Sequence, residues 1–320
     1  MISVLILLRT QRARRVHGRY LGQNVGNLCR LRVRRQPART QPMNLRTMTT
    51  DDIAAGMRLK GLAGWNQTPA DWRCILESSP RGCFAAEIEG KVVGTAATMV
   101  YEQRFAWIGM VLVDPEFRGQ GIGTRLLEKT IEHLDAIGIA TMKLDATPAG
   151  RPIYQKLGFS DEYEIQRWRL KRPRPQAAAM PGPQAVADAV LQLDREVFGA
   201  DRSPLLRSLA SENPDFAIAA ERNGKIDGYT FGRRGTLADH LGPWMARDEE
   251  IAAGLLDEFL GRASRETVFV DALKDRLFAG ELLLARGFQV SRPLTRMVRG
   301  PNSCPGRPEL LCAILGPEFG

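Results

Sequence analysis

Apolar and polar positions along the chain mark out two stretches of similar design, the first beginning near Thr49. Thr50 is placed to cap a helix over Asp51 to Ala63, with acids in its first turn. Gly64-Trp65-Asn66-Gln67 reads as a polar-aromatic loop. Thr68-Pro69-Ala70-Asp71 then opens a second helix, threonine as cap and proline at the first helical position. Cys83 to Ile88, a Glu89-Gly90 turn and Lys91 to Val100 predict a hairpin. Phe105 to Val113 is a buried strand, halted by Asp114-Pro115 because proline has no N–H for the ladder. From Ile122 the apolar residues recur at helical spacing (Ile122, Leu126, Leu127, Ile131, Leu134), and Gly138 ends that helix. A strand over Thr141 to Ala146, a short helix over Pro148 to Leu157 and a strand over Glu162 to Leu170 complete the stretch.

The pattern then repeats in weaker form. Lys171 to Pro183 holds four prolines and three alanines and reads as a semi-rigid linker. Beyond it, Asn223-Gly-Lys-Ile-Asp-Gly228 echoes Glu89-Gly-Lys-Val-Val-Gly94, and Ala285-Arg-Gly-Phe288 echoes Lys156-Leu-Gly-Phe159. The offsets of 134 and 129 residues agree closely enough to indicate a duplicated domain. The expected organisation is a basic tail over 1–47, domains over 48–170 and 184–300 joined by the 171–183 linker, and a loose tail over 301–320.

Length and charge fit that division. At 320 residues there is room for two ordinary domains, and 44% apolar content suffices for real cores. No apolar run approaches the ~20 residues that a membrane helix needs. The formal charge of +9 is misleading, because residues 1–50 hold eleven arginines and no acid. The rest has 34 basic against 36 acidic groups, so the folded body has no general attraction for nucleic acid. Two readings of the basic stretch stay open: an organelle transit peptide, or translated upstream sequence with the start at Met43 or Met48. The abrupt onset of fold signals at Thr49 favours the second, and disorder is expected either way. The five cysteines form no CxxC pair and the three histidines lie far apart, so no metal site is expected. Such cysteine usage suits a reducing, cytoplasmic compartment. The oligomeric state is left open.

The chemistry gathers between the Phe105–Val113 strand and the helix starting at Ile122. The loop Arg118-Gly-Gln-Gly-Ile-Gly-Thr124 lies where the unpaired N–H groups and positive dipole end of a helix favour an anion. Gly119, Gly121 and Gly123 carry no Cβ, so main chain can approach a phosphate closely. A Walker loop needs a lysine after the last glycine, where Thr124 stands. A Rossmann fingerprint needs its third glycine one residue later. What fits is R-x-x-G-x-G, which resembles the pyrophosphate loop of the GNAT acetyltransferases.

A second motif supports this resemblance: Ala149-Gly-Arg-Pro-Ile-Tyr-Gln-Lys-Leu-Gly-Phe159 is similar to the Tyr-x-x-x-Gly-Phe helix end of that family. Thr147 and Gly150 depart from the asparagine and alanine often found before the tyrosine. The order β-β-β-α-β-α-β after two helices is also that of a GNAT domain. The resemblance implies a mixed α/β sheet fold with two tandem acyl-CoA N-acyltransferase domains, strong over 48–170 and weak over 184–300. In the second copy Trp244-Met-Ala-Arg-Asp-Glu-Glu250 replaces the glycine loop and Leu283 replaces the tyrosine, so that copy is expected to be degenerate.

What the resemblance further implies is acetyl transfer from acetyl-CoA to an amine. Val111, Leu112 and Val113, with Arg118, Gly119, Gln120, Gly121, Ile122, Gly123 and Thr124, are expected to hold the coenzyme, and a main-chain N–H near Val111 to Val113 the tetrahedral oxyanion. Tyr154 is expected beside the leaving thiolate. Transfer of its proton from pKa about 10 to a thiolate of about 8.5 is uphill by roughly 2 kcal/mol, so it stabilises by hydrogen bonding as much as by transfer. Glu102 and Asp145 are candidate general bases, a water chain being the alternative. Trp65, Asn66 and Gln67 are candidates for the acceptor site, or else they anchor their loop. The expected acceptor is a small primary amine or amino-acid-like molecule. The alternatives are a protein lysine or N-terminal acetyltransferase and a non-catalytic acyl-CoA-binding module.

Overall fold

A computed structural model describes residues 42–173 and 186–320, whose elements follow the sequence punctuation closely. The basic stretch up to residue 41 and linker residues 174–183 lie outside the described residues. In the first half β1 (Asn44–Thr47) precedes helices α1 (Ile53–Leu62) and α2 (Pro69–Ser78). There follow β2 (Phe84–Ile88), β3 (Lys91–Tyr101), β4 (Phe105–Val113), α3 (Ile122–Ala136), β5 (Met142–Ala146), α4 (Arg151–Lys156) and β6 (Ser160–Lys171). Thr68 caps α2 as expected: its hydroxyl accepts from Asp71 N–H at 3.2 Å, and Asp71 reaches back to Thr68 N–H at 2.7 Å. The first helix is set one residue earlier than expected, with Thr49 N–H donating to Asp52 at 2.9 Å. The periodic residues of α3 are all buried.

The second half repeats the series as α5 (Asp188–Phe198), α6 (Ser203–Glu212), β7 (Ile218–Arg222), β8 (Lys225–Arg234), β9 (Asp239–Ala246), α7 (Glu249–Arg262), β10 (Thr267–Leu273), α8 (Leu277–Ala285) and β11 (Gln289–Arg299). The echoed turns are matched in backbone: Glu89-Gly90 and Asn223-Gly224 both have positive φ at both residues, as a two-residue hairpin loop requires. A last short strand, β12 (Leu311–Ala313), has no counterpart in the first half.

The strands form one sheet in the order β1-β2-β3-β4-β5-β11-β6-β10-β12-β9-β8-β7. The two halves are therefore not beads on a linker. Each gives its last long strand to the other: β11 pairs antiparallel with β5 (Thr295 opposite Ala146, Arg299 opposite Met142), and β6 pairs antiparallel with β10 (Lys171 opposite Thr267). At the centre β6 and β11 pair with each other. Side chains lock the exchange. Arg296 of β11 grips both oxygens of Asp145 of β5 at 2.9 Å, donates to the Tyr163 hydroxyl at 2.5 Å and lies 4.4 Å from the Trp107 ring. Arg167 of β6 grips Asp271 of β10 at 2.8 and 2.6 Å. One core cluster draws on both halves, joining Leu59, Trp72, Trp107 and Tyr101 to Leu206, Tyr229, Leu315 and Phe319.

Three boundary expectations are corrected. Residues 44–47 are a strand paired with β2, because Leu45 packs under the sheet and Arg46 binds Asp52 and Glu87. Lys171 still belongs to β6, and the Arg172 guanidinium donates to the Leu260 and Ala263 carbonyls, so the linker does not begin there. Residues 301–320 are no loose tail: Leu311 to Leu315 and Phe319 are buried. This segment runs as a strap against both halves, Tyr101 and Trp107 donating to the Phe319 and Pro317 carbonyls at 2.8 and 2.9 Å.

Replacing Arg296 by Met leaves the fully buried Asp145 carboxylate unpaired and is expected to cost about 3–5 kcal/mol in urea unfolding. Adding Asp145→Leu should recover most of that loss; equal losses for single and double variants would show that the pair does not join the halves.

Candidate active site

The peptide backbone creates the site. Strands β4 and β5 pair in parallel only at Ala106–Met142 and Trp107–Lys143, and then diverge. Just past that point β4 carries a bulge, with Met110 at φ +52° and its carbonyl accepting from the Thr95 hydroxyl at 2.8 Å. A bulge beside a diverging strand re-aims peptide groups toward the gap. The gap leads into a half-enclosed cavity of about 70 Å³ bordered by Val111, Tyr154, Asp145, Trp65, Gln67, Arg292 and Glu318.

Beyond the end of β4 lies the glycine loop. Gly119 and Gly121 both have φ +78°, a conformation costly for other residues, and a Cβ on either would face open space. Gly121 is the N-cap of α3 and supplies no side-chain cap, so the first-turn N–H groups of a 15-residue helix face outward at an exposed loop. Arg118 donates to the Val113 carbonyl at 3.1 Å, which ties its side chain back to the strand end. This cradle of bare amides fits a diphosphate.

Tyr154 is brought to the cavity by α4. A Cβ at Gly150 would stand 2.9 Å from its ring, which accounts physically for the glycine at this departure from the family pattern. Its ring meets Phe159 edge-on at 6.1 Å, and its hydroxyl has no partner among the described residues. Burial pushes the phenol up to about 12.

The other sequence candidates separate. Asp145 borders the cavity, but both of its oxygens serve Arg296; burial pushes its carboxyl up against the pull of that guanidinium. Glu102 stands outside the cavity, in the turn after β3, where it accepts from Arg195 at 2.6 Å and from Asp201 N–H at 2.8 Å. That bonding makes it a tie to the second half rather than a base. Asn66 is likewise structural, its amide accepting from Leu237 and Ala238 N–H and donating to the Ala238 carbonyl. Trp65 and Gln67 do reach the cavity.

Sequence reasoning missed Arg292 and Glu318. Glu318 belongs to the strap, admitted because Gly109 has no side chain: a Cβ there would lie 3.0 Å from the Glu318 backbone. Its carboxylate pairs with Arg233 and accepts from Gln67 Nε2 at 2.9 Å. Burial pushes it up, but Arg233 and the His240 side outweigh that and hold it below the usual range. Arg233 also binds Asp71 at 3.0 Å, and His240 lies 3.2 Å from Asp271, so a buried charge network lies behind the cavity. The one available signal was the apolar run Leu311 to Leu315 in the supposed tail.

The second half contains the same gap, but filled. Strands β9 and β10 pair in parallel from Val268–Asp239 to Val270–Leu241 and then part, and β12 inserts between them. At the head of α7 the Asp248 carboxylate accepts from Ile251 N–H at 3.0 Å, so the anion position is occupied by the chain itself. Leu283 is buried where its counterpart Tyr154 faces a cavity. Among the described residues there is no group of three or more His, Cys, Asp or Glu placed to hold a metal, and no helix long and apolar enough to cross a membrane.

Two matching domain models and the relatives that follow make this chain an acyltransferase. The model of the acetyltransferase (GNAT) family matches residues 56–159, and that of an acetyltransferase (GNAT) domain matches residues 190–313. A Bacillus subtilis protein named uncharacterized N-acetyltransferase YitH is 24% identical over 74% of this chain and 85% of its own length. A holothin acyltransferase from a Pseudoalteromonas species is 25% identical over 80% of this chain and 87% of its own. A solved structure from Pyrococcus horikoshii shares the fold, superposing with a TM-score of 0.73 and covering 87% of this chain and 96% of that one at 23% identity. The chain belongs to the GNAT acetyltransferases, with two such domains in tandem.

Gly121→Glu places a carboxylate and a strained φ at the cradle; calorimetry should show no heat with coenzyme A, while the thermal midpoint falls by only a few degrees. Retained coenzyme binding would remove the cradle assignment.

Proposed function

We propose that the protein moves an acetyl group from acetyl-CoA to a small primary amine or amino-acid-like acceptor, with the first domain as the catalytic one. The observation that carries this reading is that β4, after parting from β5, borders the cavity that Tyr154 lines and ends two residues on at the loop leading to the uncapped α3 N-terminus. In this reading Arg118 to Thr124 bind the diphosphate, and the edge from Val111 to Val113 receives the pantetheine amides. A main-chain N–H of that edge stabilises the oxyanion. The acceptor ammonium loses one proton to water, its nitrogen forms the N–C bond to give the tetrahedral oxyanion, and collapse breaks the C–S bond; the second proton shed by the nitrogen passes through water to the departing sulfur, which becomes the free thiol.

The raised pKa refines the role of Tyr154. Burial raises the phenol to about 12 and so disfavours the phenolate, and the hydroxyl works as a hydrogen-bond donor to the departing sulfur. The strap and β11 wall the acceptor side, leaving a small cavity rather than a long groove. That geometry favours a small acceptor over a protein lysine or N-terminus. Tyr154 also speaks against a module that only binds acyl-CoA, which needs the cradle but no hydroxyl at its far end. The relative named as an acyltransferase of holothin supports acyl transfer as the reaction. A balanced folded body gives no support for nucleic acid as a partner.

Thiol release from acetyl-CoA by the full chain against an amine library tests this reading; absence of amine-dependent release would overturn it. Tyr154→Phe is expected to lower kcat by about 10–100-fold with coenzyme affinity unchanged, the worth of one hydrogen bond to a charged group. Unchanged turnover would remove Tyr154 from the reaction.

A further inference from the structure

The cavity wall holds a cation that the protein does not neutralise. Arg292 makes no hydrogen bond or ion pair among the described residues, and its Nε is buried without an acceptor. Register makes this more conspicuous, because Arg292 of β11 stands directly opposite Arg167 of β6. Like charges in such a pair destabilise a sheet. Arg167 is neutralised by its two bonds to Asp271, whereas Arg292 is not. A bulge between Val290 and Arg292 re-aims the strand at this point. Burial lowers the Arg292 pKa to about 10, with Arg167 adding to the fall and Asp271 and Glu318 opposing it, so the group remains charged at neutral pH. The opposite need lies across the cavity: Gln67 Oε1 is a buried acceptor with no donor, held in place by the bond of its Nε2 to Glu318.

A half-buried guanidinium whose Nε has no acceptor and a buried amide oxygen with no donor line the same small cavity, and a ligand that completes both is favoured there. Resting on the acetyl-transfer reading, we propose that the acceptor is an amino acid in type: its carboxylate is held by Arg292, and its amine N–H faces Gln67 Oε1. Arg118 to Thr124, the residues assigned to the diphosphate, do not line this cavity, so the diphosphate is not the expected partner of this arginine. The second domain thereby supplies a specificity residue through the exchanged strand β11, although its own gap is closed.

The test uses the full chain, its Arg292→Gln variant and Arg292→Lys, which keeps the charge without the planar fork. Acetyl-CoA consumption is measured over the common amino acids, each beside its amide and its decarboxylated amine. Accepted acids should exceed their amides in kcat/KM by about tenfold or more. Arg292→Gln should abolish that preference by raising KM for the acids until acid and amide are used alike, and Arg292→Lys should restore part of it. Amines or amides used as well as acids, or a preference that survives Arg292→Gln, would overturn the inference while leaving acetyl transfer standing. A second readout needs no turnover: with free coenzyme A present, a pool of N-acetyl amino acids should raise the thermal midpoint of the full chain but not of Arg292→Gln, and the matching N-acetyl amides should raise neither. Equal shifts for acids and amides, or none for the acids, would sink it. Failure of every amine to release thiol, with the acid-specific shift intact, would count against the transfer reaction and not against Arg292.

Discussion

The exchange of β6 and β11 between the halves is the constraint on which the rest of the structure depends. Each of these strands completes the other half's sheet, and each crossing is secured by a buried bidentate arginine–carboxylate pair, Arg296 with Asp145 and Arg167 with Asp271. Buried pairs of this kind contribute little net stability over a well-packed apolar alternative, but losing one partner is severe, so they dictate which strands pair. The first domain cannot hold its β5 edge without the second. Asp145, which by position resembles a catalytic carboxylate, is committed to that structural task.

Duplication gave the chain two equivalent gaps with opposite fates. In the first, β4 and β5 diverge and nothing refills the space, and α3 begins at a glycine with free amides. In the second, β12 occupies the divergence and Asp248 caps α7. The same physical demand, satisfaction of exposed main-chain groups, is met by a side chain of the chain itself in one half and by none in the other. From the closed gap the strap continues across to the open one, where Gly109 admits Glu318 to the cavity wall.

The cavity draws on both domains. Its wall combines Trp65 and Gln67 from the first domain with Arg292 from the exchanged strand and Glu318 from the strap. Most charges behind this wall are paired: Glu318 with Arg233, Arg233 with Asp71, and Asp271 with Arg167. Against so thoroughly neutralised a background, the unpaired Arg292 becomes a chemical feature rather than a surface accident.

Local order was legible in the residues themselves. The strand–glycine loop–helix unit, the Thr68 cap and the duplicated hairpin turns follow from periodicity and from backbone preferences that act over a few neighbours, whereas Tyr154 was singled out by the family resemblance of its motif. Long-range pairing was not legible, because β6 and β11 each read equally well as the last strand of their own domain. For the same reason Glu102 and Asn66 looked available, though both bind residues more than ninety positions away, and 301–320 looked loose although its apolar run fills the second gap. Short-range sterics and hydrogen bonding thus set the elements and the glycine loop from sequence alone. Which charges are neutralised, which gap stays open and what lines the cavity depended on contacts between distant segments, and only the folded chain decides those.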